Sequence, residues 1–137
     1  MSSRPLVFGC VTLLGILATG LTAGRVTAVA AEEQTVLRHV VMYKFKPELT
    51  AAQVQEVVDA FKGLPGKIPT IVEFEAGTNV SEEGKSEGFT HLFVVTFRDK
   101  AGLKVYLDHP AHADYVKVVK DRREKVIVFD YLTETKK

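Results

Sequence analysis

The stretch "YLDHPAHADY", residues 106–115, sets His109 and His112 around Pro110 and closes with Tyr106 and Tyr115. Imidazoles titrate near neutrality and phenols hold their proton well above it, so such a cluster suits proton transfer, metal binding, or capping and packing. The metal reading is the weakest of the three. The H-x-x-H spacing resembles a zinc pair, but Pro110 breaks the helical register between the two rings. Cys10 is the only cysteine, so a third ligand has to come from His39 or Asp130. Neither a metal nor an organic cofactor is expected. His109 precedes a proline, which drives it toward an extended conformation, and Pro110 suits a first helical turn. His109 therefore reads as a junction residue. His112 is the candidate for chemistry; the alternative is a half-buried histidine on an amphipathic helix, bonded to Asp130 and nothing more.

Strands and helices must bring these groups together. "TVLRHVVMYKFK" (35–46) is β-branched and aromatic with period-two character, which predicts a strand ended by Pro47. A helix is expected over 49–66, with Thr50 as N-cap, a stripe of Val54, Val57, Val58 and Phe61, and a stop at Gly63 and Pro65-Gly66. "TIVEFEAG" (70–77) and "FTHLFVVTF" (89–97) alternate as strands on either side of a polar loop, 78–88. A second helix starts near Asp99, is interrupted by Pro110, and resumes to about residue 124 with His112, Tyr115, Val116 and Val119 on one stripe. "KVIVFDYL" (125–132) is the last strand. The order β-α-β-β-α-β is an α+β, ferredoxin-like arrangement with both helices on one face of a four-stranded antiparallel sheet.

The strand faces carry the next inference. His39, Val41, Tyr43 and Phe45 point one way on the first strand, Val40 and Met42 the other. Leu92, Val94, Ile127 and Phe129 fall on the face that the helices leave open, a patch too apolar for an ordinary monomer. A second copy packing sheet on sheet is the simplest cover. Burying ~500 Å² of apolar area per chain contributes on the order of 12 kcal/mol before association costs. A homodimer is expected.

On the helix-covered face, the last strand runs antiparallel to the first, so Asp130 should approach His39. His39, Val41, Val126, Val128 and Asp130 then share a face with Tyr106 and His112. The apolar surroundings expected there are Val57, Val58, Phe61, Phe93 and Val95, with Tyr115 beside them. An apolar cavity with a few converging polar groups is the usual form of a small-molecule site. His91 is expected to be a strand-end hydrogen-bonding residue, and Tyr43 and Phe45 core. "NVS" (79–81) matches a glycosylation acceptor, which matters only in a eukaryotic secretory pathway.

The first 31 residues read differently from the rest. Arg4, an uncharged apolar run from Pro5 to Gly24 and the small-residue stretch ending "AVAAEEQ" have the order of a secretory signal peptide, with a cut after Ala30 or Ala31. An uncleaved membrane anchor is the alternative, since about 20 apolar residues can just span a bilayer. Cleavage removes Cys10 together with Arg4 and Arg25, so the formal charge of +1 becomes −1 for the domain over 32–137. An exported, thiol-free domain follows, periplasmic or secreted, with no membrane contact once cut and no basic footprint for nucleic acid.

"LRHVVMYKFK", "GTNVSEEGKSEGFTHLFVVTF", "YLDHPAHADY" and "VIVFDY", in that order over residues 36–132, resemble the stress-responsive dimeric α/β-barrel (Dabb) domain family. The resemblance implies a dimer whose two sheets face each other to form a barrel. Many members are known only as stress-associated proteins. An olivetolic acid cyclase-like branch carries out an intramolecular aldol condensation of a polyketide chain without metal or organic cofactor, using a tyrosine before the His-Pro element and the histidine after it. Those positions fall on Tyr106 and His112; the strand placement above, not the resemblance, offers Asp130 as the orienting carboxylate. Polyketide chemistry draws on acyl-thioesters made inside the cell, and an export signal separates this domain from them. The expectation is therefore an exported homodimer that binds a small apolar or aromatic ligand between sheet and helices. The alternative is cofactor-independent acid–base catalysis, of cyclase or lyase type, by Tyr106 and His112.

Overall fold

The structure, a computed structural model, describes residues 33–136; the leader assigned to 1–31, Cys10 within it and any cleavage site lie outside the described residues. The elements are β1 (Glu33–Phe45), α1 (Ala51–Lys62), β2 (Ile71–Thr78), β3 (His91–Phe97), α2 (Lys100–Asp108), α3 (Pro110–Val119) and β4 (Arg123–Lys136). The sheet order is β2-β3-β1-β4 and every neighbouring pair is antiparallel. This is the ferredoxin-like α+β arrangement, with the second helix divided in two.

Each boundary has a local cause. Thr50 caps α1 in a reciprocal capping box with Gln53, both hydrogen bonds being present. The helix ends at Lys62 rather than near residue 66, because Leu64 N–H turns back to the Phe61 carbonyl at 2.9 Å and begins a separate turn. β3 starts at His91, two residues later than expected. Glu87 and Gly88 take φ of +52° and +83°, and Phe89 N–H bonds back to the Ser86 carbonyl, so the chain enters the sheet only after that turn. α3 ends at Val119, not near 124: Arg122 N–H closes a turn on the Val119 carbonyl, and β4 takes over at Arg123. β4 is longer than 125–132 because β1 reaches back to Glu33, which pairs with Lys136.

The core lies between the sheet and the helices. Leu37, Val41, Tyr43, Phe93, Val95 and Phe97 from the sheet meet Val57, Phe61, Leu103, Tyr106, Tyr115 and Val119 from the helices, all buried. The helices do not cover β4. Val128 and Leu132 share a face with Val41 and Leu37, yet are 53% and 56% exposed. On the opposite face, the register lines up Gly77, Leu92, Met42 and Ile127 across the four strands, then Glu75, Val94, Val40 and Phe129, then Glu73, Thr96, Arg38 and Tyr131. The third row is polar, with Arg38 bonded to Glu75 at 2.8 Å and to Thr96 at 3.3 Å. The first two are mostly apolar, and Leu92, Ile127 and Phe129 are exposed. No helix among the described residues is long and apolar enough to cross a membrane.

Candidate functional site

Tyr106, in the last turn of α2, is buried, as Leu103 one turn earlier is. Its ring meets His39 at 5.6 Å and His112 at 4.5 Å between centroids. Burial, with Tyr43 adding to it, raises the Tyr106 hydroxyl well above the ordinary phenol range. At any physiological pH this group is therefore a proton-bearing donor.

The junction between α2 and α3 positions His112. His109 has extended backbone, φ −73° and ψ 136°, and caps α3: its Nδ1 accepts from Ala111 N–H at 3.1 Å, with Pro110 in the first helical turn. In an unbroken helix Ala111 N–H would go to the Leu107 carbonyl. The cap diverts it, and the Leu107 carbonyl instead takes the His112 ring through Nδ1 at 3.2 Å. With the proton on Nδ1, the lone pair of His112 sits on Nε2. Partial burial lowers the His112 pKa, the Leu107 bond opposes this, and the neighbouring His39 lowers it further. His112 is thus held neutral to lower pH than a free imidazole.

His39 and Asp130 are register partners on β1 and β4. Asp130 Oδ1 lies 2.6 Å from His39 Nδ1, with the His39 side chain buried and that of Asp130 41% exposed. The carboxylate expected to orient His112 therefore holds His39, and the Leu107 carbonyl serves His112. Strand pairing dictates this outcome, since directly opposed residues in an antiparallel pair have their Cβ atoms about 5 Å apart.

The apolar surroundings differ from expectation. Val57 and Val95 have no accessible surface and Phe61 and Phe93 1% each. A side chain without accessible surface cannot line a void large enough for water. Val58, Val41 and Tyr115 are buried in the same cluster. Phe61 and Phe93 stack at 4.4 Å, and Tyr115 donates its hydroxyl to that of Tyr43 at 2.9 Å. These residues are packed core, because two helices on three strands leave no gap between them. Val126 is partly buried against that core. Of the set expected to line a pocket, Val128 and Asp130 are the exposed members. The polar cluster therefore borders an open flank along β4, with Leu132 on the same face. Sequence reasoning missed Leu132; its i+2 spacing from Asp130 was the available signal.

The other candidates fall elsewhere. His91 bonds to Thr90 Oγ1 at 2.9 Å at the start of β3, as a strand-end residue should, and burial lowers its pKa. Asn79 accepts from Ser81 N–H at 2.9 Å within the polar loop. That loop roofs a cavity of about 630 Å³ on the helix-free face, floored by Gly77, Leu92, Met42 and Ile127 and rimmed by Val80, Lys85 and Phe89. Among the described residues, no three or more His, Cys, Asp or Glu side chains gather in a metal-binding group.

The family model described as the Stress responsive A/B Barrel Domain matches residues 37–133. The chain is 35% identical over 95 residues to olivetolic acid cyclase from Cannabis sativa, covering 69% of this chain and 94% of that protein. Among solved structures, a hydroxynitrile lyase from Passiflora edulis superposes with a TM-score of 0.68 at 25% identity, over 72% of this chain and 93% of that one. A dimeric ferredoxin-like protein of unknown function from Jannaschia sp. superposes with a TM-score of 0.61 at 32% identity, over 70% and 97%.

Proposed function

Because this chain belongs to the stress responsive A/B barrel domain family, we propose that it works as an exported homodimer that binds a small apolar or aromatic molecule beside Tyr106, His112, His39 and Asp130. One observation carries this reading: four polar groups converge next to Val128 and Leu132, apolar residues that the protein's own helices leave uncovered. Apolar surface with a few fixed polar groups is what orients a small ligand. The dimeric state is supported by the exposed apolar face and by the dimeric relative. Export rests on the sequence of the leader alone, and N-terminal sequencing of the exported protein tests it.

The test is a thermal-shift and co-purification screen with aromatic and acyl compounds. Binding should raise Tm, and His112→Ala should abolish the rise while leaving the far-UV spectrum unchanged. If neither His112→Ala nor Tyr106→Phe alters binding, the site is wrongly placed.

Proton transfer is the second reading, favoured by the tautomers. His39 and His112 both have Nδ1 engaged, leaving Nε2 as a potential base, while Tyr106 keeps a proton to donate to a carbonyl oxygen. A ligand placed between them would lose a proton to an imidazole as Tyr106 stabilised the developing oxyanion. The likeness to a cyclase and to a hydroxynitrile lyase supports this chemistry. Exchange of protons next to a carbonyl for solvent deuterium, followed by NMR on a panel of aldehydes, ketones and hydroxynitriles, tests it. His112→Ala or Tyr106→Phe should slow exchange on the order of 10²-fold or more. Exchange at the rate of solvent alone, across the panel, leaves binding as the function.

A further inference from the structure

The register fixes what flanks the polar cluster along β4. Every second residue on the helix side of that strand gives Val126, Val128, Asp130, Leu132 and Glu134, opposite Tyr43, Val41, His39, Leu37 and Thr35 of β1. Val41 and Leu37 are 3% and 2% exposed, whereas their partners Val128 and Leu132 are more than half exposed. The helical cover therefore stops between β1 and β4 and leaves a strip along β4. That strip is apolar at Val128, polar at Asp130 and apolar again at Leu132. His39 joins it at the polar level, with Tyr106 and then His112 behind. Beyond Val128 the strip ends at Val126, partly buried against the core, and beyond Leu132 at the exposed Glu134.

We propose that this site takes a neutral molecule with a carbonyl oxygen in mid-chain between two apolar arms, and not an amphiphile with a charged head. The assignment rests on the binding reading above and names the ligand class for the same site. Val128 and Leu132 are four residues apart, about 13 Å along the strand, with Asp130 midway. An extended chain of about eleven carbons, with C–C bonds of about 1.5 Å, has that length. A carbonyl at its centre lies at the level of the His39–Asp130 pair, where the Tyr106 phenol keeps a proton to donate. Each arm then covers one exposed apolar side chain. A head at the end of the chain gives up one arm. A carboxylate head meets the Asp130 carboxylate in the middle, that of Glu134 at one end and the apolar Val126 at the other. None of these three offers it a partner, and the first two repel it.

Calorimetric titration with three probes of equal carbon number, undecan-6-one, undecan-2-one and undecanoate, tests the assignment. Undecan-6-one should bind about fivefold or more tighter than either of the others. Val128→Thr and Leu132→Thr place a good strand former at exposed strand positions, so the far-UV spectrum should not change. Each should raise the dissociation constant of undecan-6-one about threefold or more, and undecan-2-one should respond to only one of them. The isomer comparison needs no substitution, so it decides the matter even where a variant is destabilised. Tighter binding of undecan-2-one or undecanoate, indifference of undecan-6-one to either threonine, or no binding by any probe overturns the two-armed class. If His112→Ala abolishes whatever binding is seen, the site itself stands. Binding of undecan-6-one that survives both His112→Ala and Tyr106→Phe overturns the class and the site together.

Discussion

His39 and His112 give up the same ring nitrogen to unlike acceptors, a carboxylate on β4 and a backbone carbonyl at a helix junction. The first was legible in the sequence, because strand order alone places Asp130 opposite His39. The second was not, since the Leu107 carbonyl becomes free only when His109 captures the Ala111 N–H, and nothing in residue types announces that exchange. The lowered pKa of His112 has a measurable consequence. An imidazole protonated more readily in the unfolded chain than in the fold destabilises the fold as pH drops. Its contribution is full above about pH 6.5, the unfolded value, and is lost as pH falls from there toward the lower folded pKa. His91 acts with the same sign. The urea midpoint should therefore decline between pH 7 and 5, and His112→Gln should flatten part of that decline. An unchanged slope would mean that the ring is as free as in water.

The buried tyrosine pair gives a second prediction at this scale. Tyr115 donates to Tyr43, and the Arg123 guanidinium stands beside Tyr43. Burial raises both phenols, and donating raises Tyr115 further, so neither ionises. Tyr43→Phe leaves the Tyr115 hydroxyl buried without an acceptor, at a cost of about 1–3 kcal/mol. Tyr115→Phe leaves Tyr43 near Arg123 and should cost less. The double variant should be more stable than the two single losses added together. Chemical denaturation of the four proteins checks this.

Among the elements, strands and caps were readable, because alternation, Thr50 and the His-Pro junction are local signals. The helix-to-strand changeover near residue 120 was not. "KVVKDRRE" continues a helical stripe in composition, and pairing of Arg123 with Phe45 on β1 ends it. The junction itself is testable. Removing a helix cap costs about 1 kcal/mol, so His109→Ala should destabilise by that amount and, with Ala111 N–H left without its side-chain acceptor, loosen the junction that orients the His112 ring. His109→Asn retains a side-chain acceptor and should restore both stability and ligand binding, or catalysis if present. If Asn fails to rescue while Ala binds ligand normally, His109 has another role.

At the scale of the whole molecule, hydrophobic patterning indicated one covered face and one open face, and the register agrees: the rows through Leu92 and Val94 lie away from the helices. It did not show that β4 is uncovered on its helix side too, because helix placement over an edge strand depends on loop lengths rather than on residue types. A dimer held through the helix-free face should show a Tm that rises with protein concentration. Ile127→Asp, in the apolar row of that face on the edge strand β4, should abolish the concentration dependence, as read by calorimetry over a hundredfold dilution series.

The pairing of β1 with β4 joins the start of the domain to its end, Glu33 lying opposite Lys136. A ribosome delivers β1 well before β4, so this inner strand lacks one of its two neighbours until β4 has emerged. Contacts so distant in the chain also form slowly. A polypeptide built this way cannot close its sheet before β4 has emerged, so completion of the fold waits on that edge strand.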